Sequence, residues 1–192
     1  MEMLVTGLVV FLAAHSVRIF ADNWRTHMRE MLGDNVFKAA YAVVSLVGLG
    51  LIIWGFGMAR EQPVQLWSPP VGMRHAASLL TLVSFVFLAA TYVPGNAIKA
   101  RLGHPMVLGV KVWALAHLLA NGTLAHVALF GSFLIWSVLC FRAARQRDRA
   151  EGVSRPAGNG RATALTVVVG VLAWAVFAFG LHGWLIGVKP MG

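Results

Sequence analysis

An all-α integral membrane bundle of six transmembrane helices is the fold class this sequence predicts, and three observations lead to it. Of 192 residues, 58% are hydrophobic and only 12% are charged, too little polar surface to cover a water-soluble globule. Six apolar runs approach the length needed to cross a hydrocarbon core of about 30 Å. None alternates polar and apolar residues in the manner of a barrel strand. The chain is therefore expected to form a single transmembrane domain over residues 1–192.

The first run, Met3–Phe20, lacks the basic n-region of a signal peptide, carries Glu2 ahead of its apolar part and has no small-residue cleavage site near Arg18. It is read as a mature helix. The second, Phe37–Ala59, bears Gly48, Gly50, Gly55 and Gly57, small residues that let helices approach closely. Arg60–Arg74 holds three prolines and Trp67, which predicts a non-helical cap at the outer interface. The third run is His75–Val93. The fourth and fifth, Pro105–Asn121 and Thr123–Phe141, are broken only by Asn121–Gly122, which predicts a tight turn with its glycine left-handed. Arg142–Arg161 is rich first in arginine and then in Gly, Ser, Pro and Asn, and predicts a flexible basic cytoplasmic loop that meets anionic lipid. Thr163–Gly187 is the sixth run. The single cysteine, Cys140, excludes an intramolecular disulfide and a thiolate cluster.

A net charge of +9 raises the question of nucleic acid, but the basic residues lie in loops beside the apolar runs, so no nucleic-acid partner is expected. Their alternation sets orientation. With both termini outside, twelve basic residues fall on the cytoplasmic side against three outside, namely Arg60, Arg74 and Lys189. Lys111 falls within a run.

Ionisable groups at membrane depth are costly and are functional candidates by default. Seven histidines sort into layers at a rise of about 1.5 Å per residue. His75 begins the third run at the outer face; His117, His126 and His182 lie roughly 5–8 Å below it. His15 and His104 belong to the inner side, and His27 to a cytoplasmic loop. No carboxylate lies within a run, so imidazole is the metal ligand the hydrocarbon layer offers. Haem iron needs only two imidazoles, because the porphyrin supplies four ligands, whereas zinc needs three or four to converge. Gly109, Trp113 and His117 share one helical stripe, with Gly109 leaving room for a macrocycle edge. Phe11, His15 and Arg18 share another, where Arg18 either meets a propionate or snorkels to lipid phosphate. Lys111 follows His104 by two turns and likewise either pairs with an anionic ligand group or snorkels.

The string HPMVLGVKVWALAHLLANG from His104 to Gly122, with FLAAHSVRIF from Phe11 and PVQLWSPP from Pro63, resembles the NnrU family of bacterial membrane proteins over about Phe11 to Trp136. That resemblance implies a multi-pass protein of the bacterial inner membrane associated with nitrite and nitric oxide reduction in denitrification, and the charge asymmetry then puts both termini in the periplasm. The family is similar to the 15-cis-zeta-carotene isomerases, which implies haem b and, as an alternative, haem-dependent cis–trans isomerisation of a carotenoid-like substrate. By position the isomerase's haem histidines match His15 and His117. Its cysteine three residues before the second ligand is replaced here by Ala114, which removes that route to ligand switching. Depth alone instead sets His75 level with His117, so His15, His75 and His117 are all candidate iron ligands.

The GHPMVLG segment also resembles the cofactor-binding element of membrane methyltransferases that use S-adenosylmethionine, although Gly103 replaces its arginine and Met106–Leu108 lacks its tyrosine. A non-enzymatic haem protein is the remaining class, since two imidazoles close the iron to substrate and suit electron transfer. Expected partners are membrane lipid, a hydrophobic small molecule or a redox partner, and a second copy of the chain in a homo-oligomer.

Overall fold

The computed structural model describes residues 1–190. Among these it contains eight helices and no β-strand: α1 Glu2–Phe20, α2 Asp22–Leu32, α3 Asp34–Glu61, α4 Gly72–Tyr92, α5 Ala97–Leu102, α6 Pro105–Ala120, α7 Leu124–Ala150 and α8 Gly160–Ile186. The all-α expectation is met. Five helices, α1, α3, α4, α7 and α8, are long and apolar enough to cross a membrane. The fourth run gives the shorter α6, whose 16 residues reach only about 24 Å at 1.5 Å each. That falls short of a core about 30 Å thick, so the count of full-length spans is five rather than six.

The backbone divides into two compact units, one of residues 1–68 and 122–140, the other of residues 69–121 and 141–192. In the first, α1 and α3 pack through glycines. A Cβ on Gly7 would stand 2.6 Å from Ile52 N, and one on Gly48 2.8 Å from Phe11 N. Gly55 is equally tight, 2.7 Å from Leu4 Cα, whereas Gly50 and Gly57 face open space. Only half of the glycine pattern therefore serves packing, and it does so by letting main chains touch.

Residues 62–71 are non-helical, as their prolines require. The segment is pinned by main-chain bonds: the Leu66 and Trp67 amides both donate to Gly122 O at 2.8 and 3.2 Å, and the Leu124 amide donates to Val64 O at 2.9 Å. Gly122 is not left-handed, contrary to the turn chemistry expected of it. It is glycine because a Cβ there would run into the Trp67 carbonyl.

Residues 21–36, between the first two runs and expected as a loop, contain the amphipathic α2. Trp24, Met28, Met31 and Leu32 share one face and Arg25 and Arg29 flank it, the pattern of a helix lying in a membrane interface. Gly33, with φ of 77°, turns the chain into α3, and Arg29 Nε and Nη2 both donate to Asp34 Oδ1 across the joint.

In the second unit α4 is the central helix, packing on α6 and on α8. Ser84 Oγ donates to Gly109 O at 2.8 Å, and a Cβ on Gly170 would stand 2.6 Å from Val86 Cα. Near its end α8 widens into a π turn over Phe177–Leu181, just beyond Trp174, whose Nε1 donates to Thr81 Oγ1 at 3.2 Å. The basic stretch 142–161 also departs from its expected form. Residues 142–150 extend α7, and 151–159 dock on the turn between α4 and α5. The Asn159 amide donates to Gly95 O at 2.9 Å, the Ala97 amide donates to Thr163 Oγ1 at 2.9 Å, and Gly158 lies against Ala97 too closely for any Cβ. Asn96 and Asn159 each accept at the side-chain oxygen from the amide three residues on, capping α5 and α8 side by side.

Candidate functional site

His15 lies on α1, and its Nδ1–H donates to Phe11 O at 2.7 Å. A carbonyl only accepts, so this bond fixes the proton on Nδ1 and the lone pair on Nε2. That is the tautomer a metal-binding imidazole adopts when a main-chain carbonyl orients it. Aromatic rings hold the imidazole in place. Phe11 stacks on it with centroids 4.0 Å apart, Tyr41 of α3 stands 5.2 Å away, and Trp136 of α7 meets it edge-on at 6.1 Å. Phe133 completes the cluster beside Phe11 and Trp136. Trp136 Nε1 is buried and has no hydrogen-bond partner. Arg18 is exposed one turn further along α1.

His117, on α6 of the other unit, repeats the arrangement. Its Nδ1–H donates to Trp113 O at 2.8 Å, and the Trp113 ring lies 5.2 Å away. The cause is local: a histidine reaching back along its own helix meets the carbonyl four residues earlier, and both histidines have an aromatic residue there. Asn121 Nδ2 donates to His117 O at 2.9 Å, closing the end of α6 around the histidine.

The other expected site residues fall elsewhere. His75 is exposed in the first turn of α4. Gly109 is buried, and the space beside it belongs to α4, since a Cβ there would stand 3.2 Å from both Leu88 and Ser84 O. It offers no room for a macrocycle and leaves the candidate site. Lys111 is half-buried on α6. His104 caps the start of α6, and its Nε2–H donates to Asp148 Oδ2 at 2.9 Å. Arg155 Nη2 donates to the same oxygen at 2.7 Å, and Arg145 lies 3.9 Å from it. Arg155 first, then His104, holds the Asp148 carboxyl below the ordinary carboxylate range. His104 is thus part of an ion-pair cluster at the foot of α7.

Sequence reasoning missed Asp148, Arg155 and Trp136. The first two stand in a stretch whose composition reads as linker. Trp136 has no charged or histidine neighbour in sequence to draw attention to it, and the burial of its N–H marks it. Among the described residues, no three His, Cys, Asp or Glu side chains converge to hold a bare metal ion. The first unit also carries an apolar groove of about 620 Å³ along α1, lined by Val5, Leu12, Ser16, Phe20 and Ser132 among others.

No curated protein and no solved structure matches the chain. A family model described as NnrU protein matches residues 3–190, nearly the whole length, and the chain belongs to the NnrU family.

Proposed function

We propose that this NnrU protein is a haem b protein of the bacterial inner membrane, with His117 and His15 as the imidazoles that would hold the iron and a role in the redox chemistry of nitrite and nitric oxide reduction. One observation carries the reading. Both histidines direct Nδ1–H to a main-chain carbonyl four residues back, which leaves the lone pair of each on Nε2, the nitrogen that binds iron in this geometry. Bound haem would supply a one-electron redox centre. The chain's own part is to fix the tautomers and to surround the imidazoles with aromatic rings, Phe11, Tyr41 and Trp136 at His15 and Trp113 at His117, which keep water from the iron ligands.

In the membrane, the reading includes six crossings with both termini periplasmic, α6 crossing despite its length through local thinning of the bilayer around it. The basic side, with the α7 extension and the 151–159 segment, is cytoplasmic. A second reading, haem-dependent isomerisation of an elongated hydrophobic substrate, draws on the apolar groove along α1, whose lining includes Ser16 and Val17 beside His15. The methyltransferase reading loses ground. The imidazole that would face an S-adenosylmethionine carboxylate is already bonded to the carboxylate of Asp148.

The test is an absorption spectrum of detergent-purified protein, oxidised and reduced. Haem b bands of a low-spin bis-imidazole type are expected, lost or shifted in His117→Ala and His15→Ala and retained in His75→Ala. Protein that stays colourless after haem supplementation would refute the proposal.

A further inference from the structure

The helix α7 does not stop where its apolar surface does. Phe141 is its last large apolar residue, and nine more residues continue the helix to Ala150. At a rise of about 1.5 Å each they extend it by about 13 Å, enough to pass through a headgroup layer about 5–8 Å thick. Arg142, Arg145 and Arg149 stand at i, i+3 and i+7 of this extension and form one stripe. The side turned to the protein is marked by Ala144, which is buried, and by Asp148, which accepts from His104 and Arg155. The stripe lacks a counter-charge. Arg145 reaches Asp148 only at 3.9 Å, too far for a hydrogen bond. Arg142 and Arg149 are exposed, and among the described residues their side chains have no ion-pair partner. Their surroundings sharpen the imbalance, since residues 97–102 and 141–161 together hold eight basic residues and two acidic ones.

We infer that the Arg142, Arg145 and Arg149 stripe seats the phosphate of an anionic phospholipid, drawn from the leaflet on the basic side of the membrane. A guanidinium presents paired N–H donors that match two phosphate oxygens, and three on one face offer a choice of such pairs. Level decides the partner. Arg142 follows the apolar part of α7 directly, so it emerges where acyl chains end and phosphates begin. Arg145 and Arg149 lie about 4.5 and 10.5 Å further out along the axis, beside the headgroup rather than the chains. Phosphatidylglycerol, with one net negative charge, is the simplest lipid of this chemistry. The stripe is held in place from within the fold, because the ion-pair cluster on the adjoining side of α7 ties the extension to the start of α6 through His104 and to residue 155 of the docked segment.

The experiment follows, by fluorescence anisotropy in mixed micelles, the binding of a phosphatidylglycerol with a fluorescent tail to the purified full-length chain, beside phosphatidylcholine with the same tail. The wild type should prefer phosphatidylglycerol by about 10-fold or more. Each basic side chain at an anionic surface strengthens binding about 5-fold, so the double variant Arg142→Gln, Arg149→Gln should weaken phosphatidylglycerol binding about 20-fold and leave phosphatidylcholine unchanged. Its circular dichroism should match the wild type, because neither side chain is paired within the described fold. The double variant Arg147→Gln, Arg161→Gln removes the same charge from the same end but off the stripe, Arg147 lying on the opposite side of α7 and Arg161 on α8, and should weaken binding no more than about 3-fold. Equal losses in the two double variants would mean attraction by net charge without a site. Equal binding of the two lipids by the wild type would mean that the tail is what binds. Displacement of the lipid at constant ionic strength by millimolar inorganic phosphate, or by an acidic peptide, would give the stripe to a soluble anion. Any of these three results overturns the inference.

Discussion

Gly55 and Gly57 lie two residues apart on α3, yet adding one methyl group to each should have opposite results. A Cβ on Gly55 would enter the main chain of α1, 2.7 Å from both Leu4 Cα and Met3 C, whereas one on Gly57 would meet nothing within 4 Å. Carbon atoms pack at about 3.5–4.0 Å, so Gly55→Ala forces α1 and α3 apart by about 1 Å at that point. The colliding atoms are backbone and cannot rotate away. Overpacking of this kind costs about 1–3 kcal/mol, and the separation also loosens Leu4, which is fully buried. Replacing glycine by alanine inside a helix contributes up to about 1 kcal/mol in the other direction. That gain is common to both variants and cancels in their comparison. Gly57→Ala should therefore match or exceed the wild type in thermal stability, with Gly55→Ala less stable than Gly57→Ala by about 1–3 kcal/mol. Unfolding of both variants in one detergent, followed by far-ultraviolet circular dichroism, measures the difference. Equal midpoints would mean that the α1–α3 contact is not the close approach described.

At the far end of α7, Asp148→Asn removes the acceptor shared by His104 and Arg155, so exchange of the Asn159 amide, which bonds Gly95 O, should accelerate several-fold. Unchanged exchange would detach this cluster from the docking of residues 151–159. The pH dependence has a definite sign: the carboxyl is held below its ordinary range in the fold, so its contribution is complete above that range and is lost as pH falls through the lowered value. Comparing wild type with Asp148→Asn at each pH, the difference should persist to about pH 4 and vanish only below it; disappearance well above that would refute the assignment to the Asp148 carboxyl. Topology is tested by Ser154→Cys in a Cys140→Ser background, where an impermeant thiol reagent should fail to label intact cells. Labelling from outside would invert the orientation.

Fold class was legible because hydropathy over twenty residues is a sum, insensitive to any one side chain, and the hydrocarbon core fixes the length over which it is read. The borders were less so. The amphipathic α2 was hidden because its apolar residues, Trp24, Met28, Met31 and Leu32, recur on one face without forming a run. The stretch from Arg142 reads as linker on composition, but its first nine residues contain no glycine or proline and continue α7 to Ala150. Gly109 and Gly122 carry a sharper lesson. Each was assigned a plausible job for a glycine, room for a ligand and a left-handed turn, and each instead admits a neighbouring element, Leu88 and Ser84 in one case and the Trp67 carbonyl in the other. A sequence marks where a side chain is missing but not what fills the space.

Histidines at membrane depth divide by the partner of their donating nitrogen, and that partner decides what the ring can do. His104 gives its Nε2–H to a carboxylate that Arg155 also grips, so its attachment is electrostatic and its place is the latch at the foot of α7. His15 and His117 give Nδ1–H to neutral carbonyls on their own helices. Those bonds orient the ring without charging it, and a neutral ring with its lone pair on Nε2 suits both a hydrocarbon environment and a metal. The intervals Phe11 to His15 and Trp113 to His117 are each one helical turn, so the same four-residue step supplies the carbonyl and an aromatic wall together. An aromatic residue four positions before an intramembrane histidine is therefore the part of this site that a sequence can display. The ring from α7, Trp136, reaches the His15 cluster only through tertiary folding, and nothing in the order of residues brings it there.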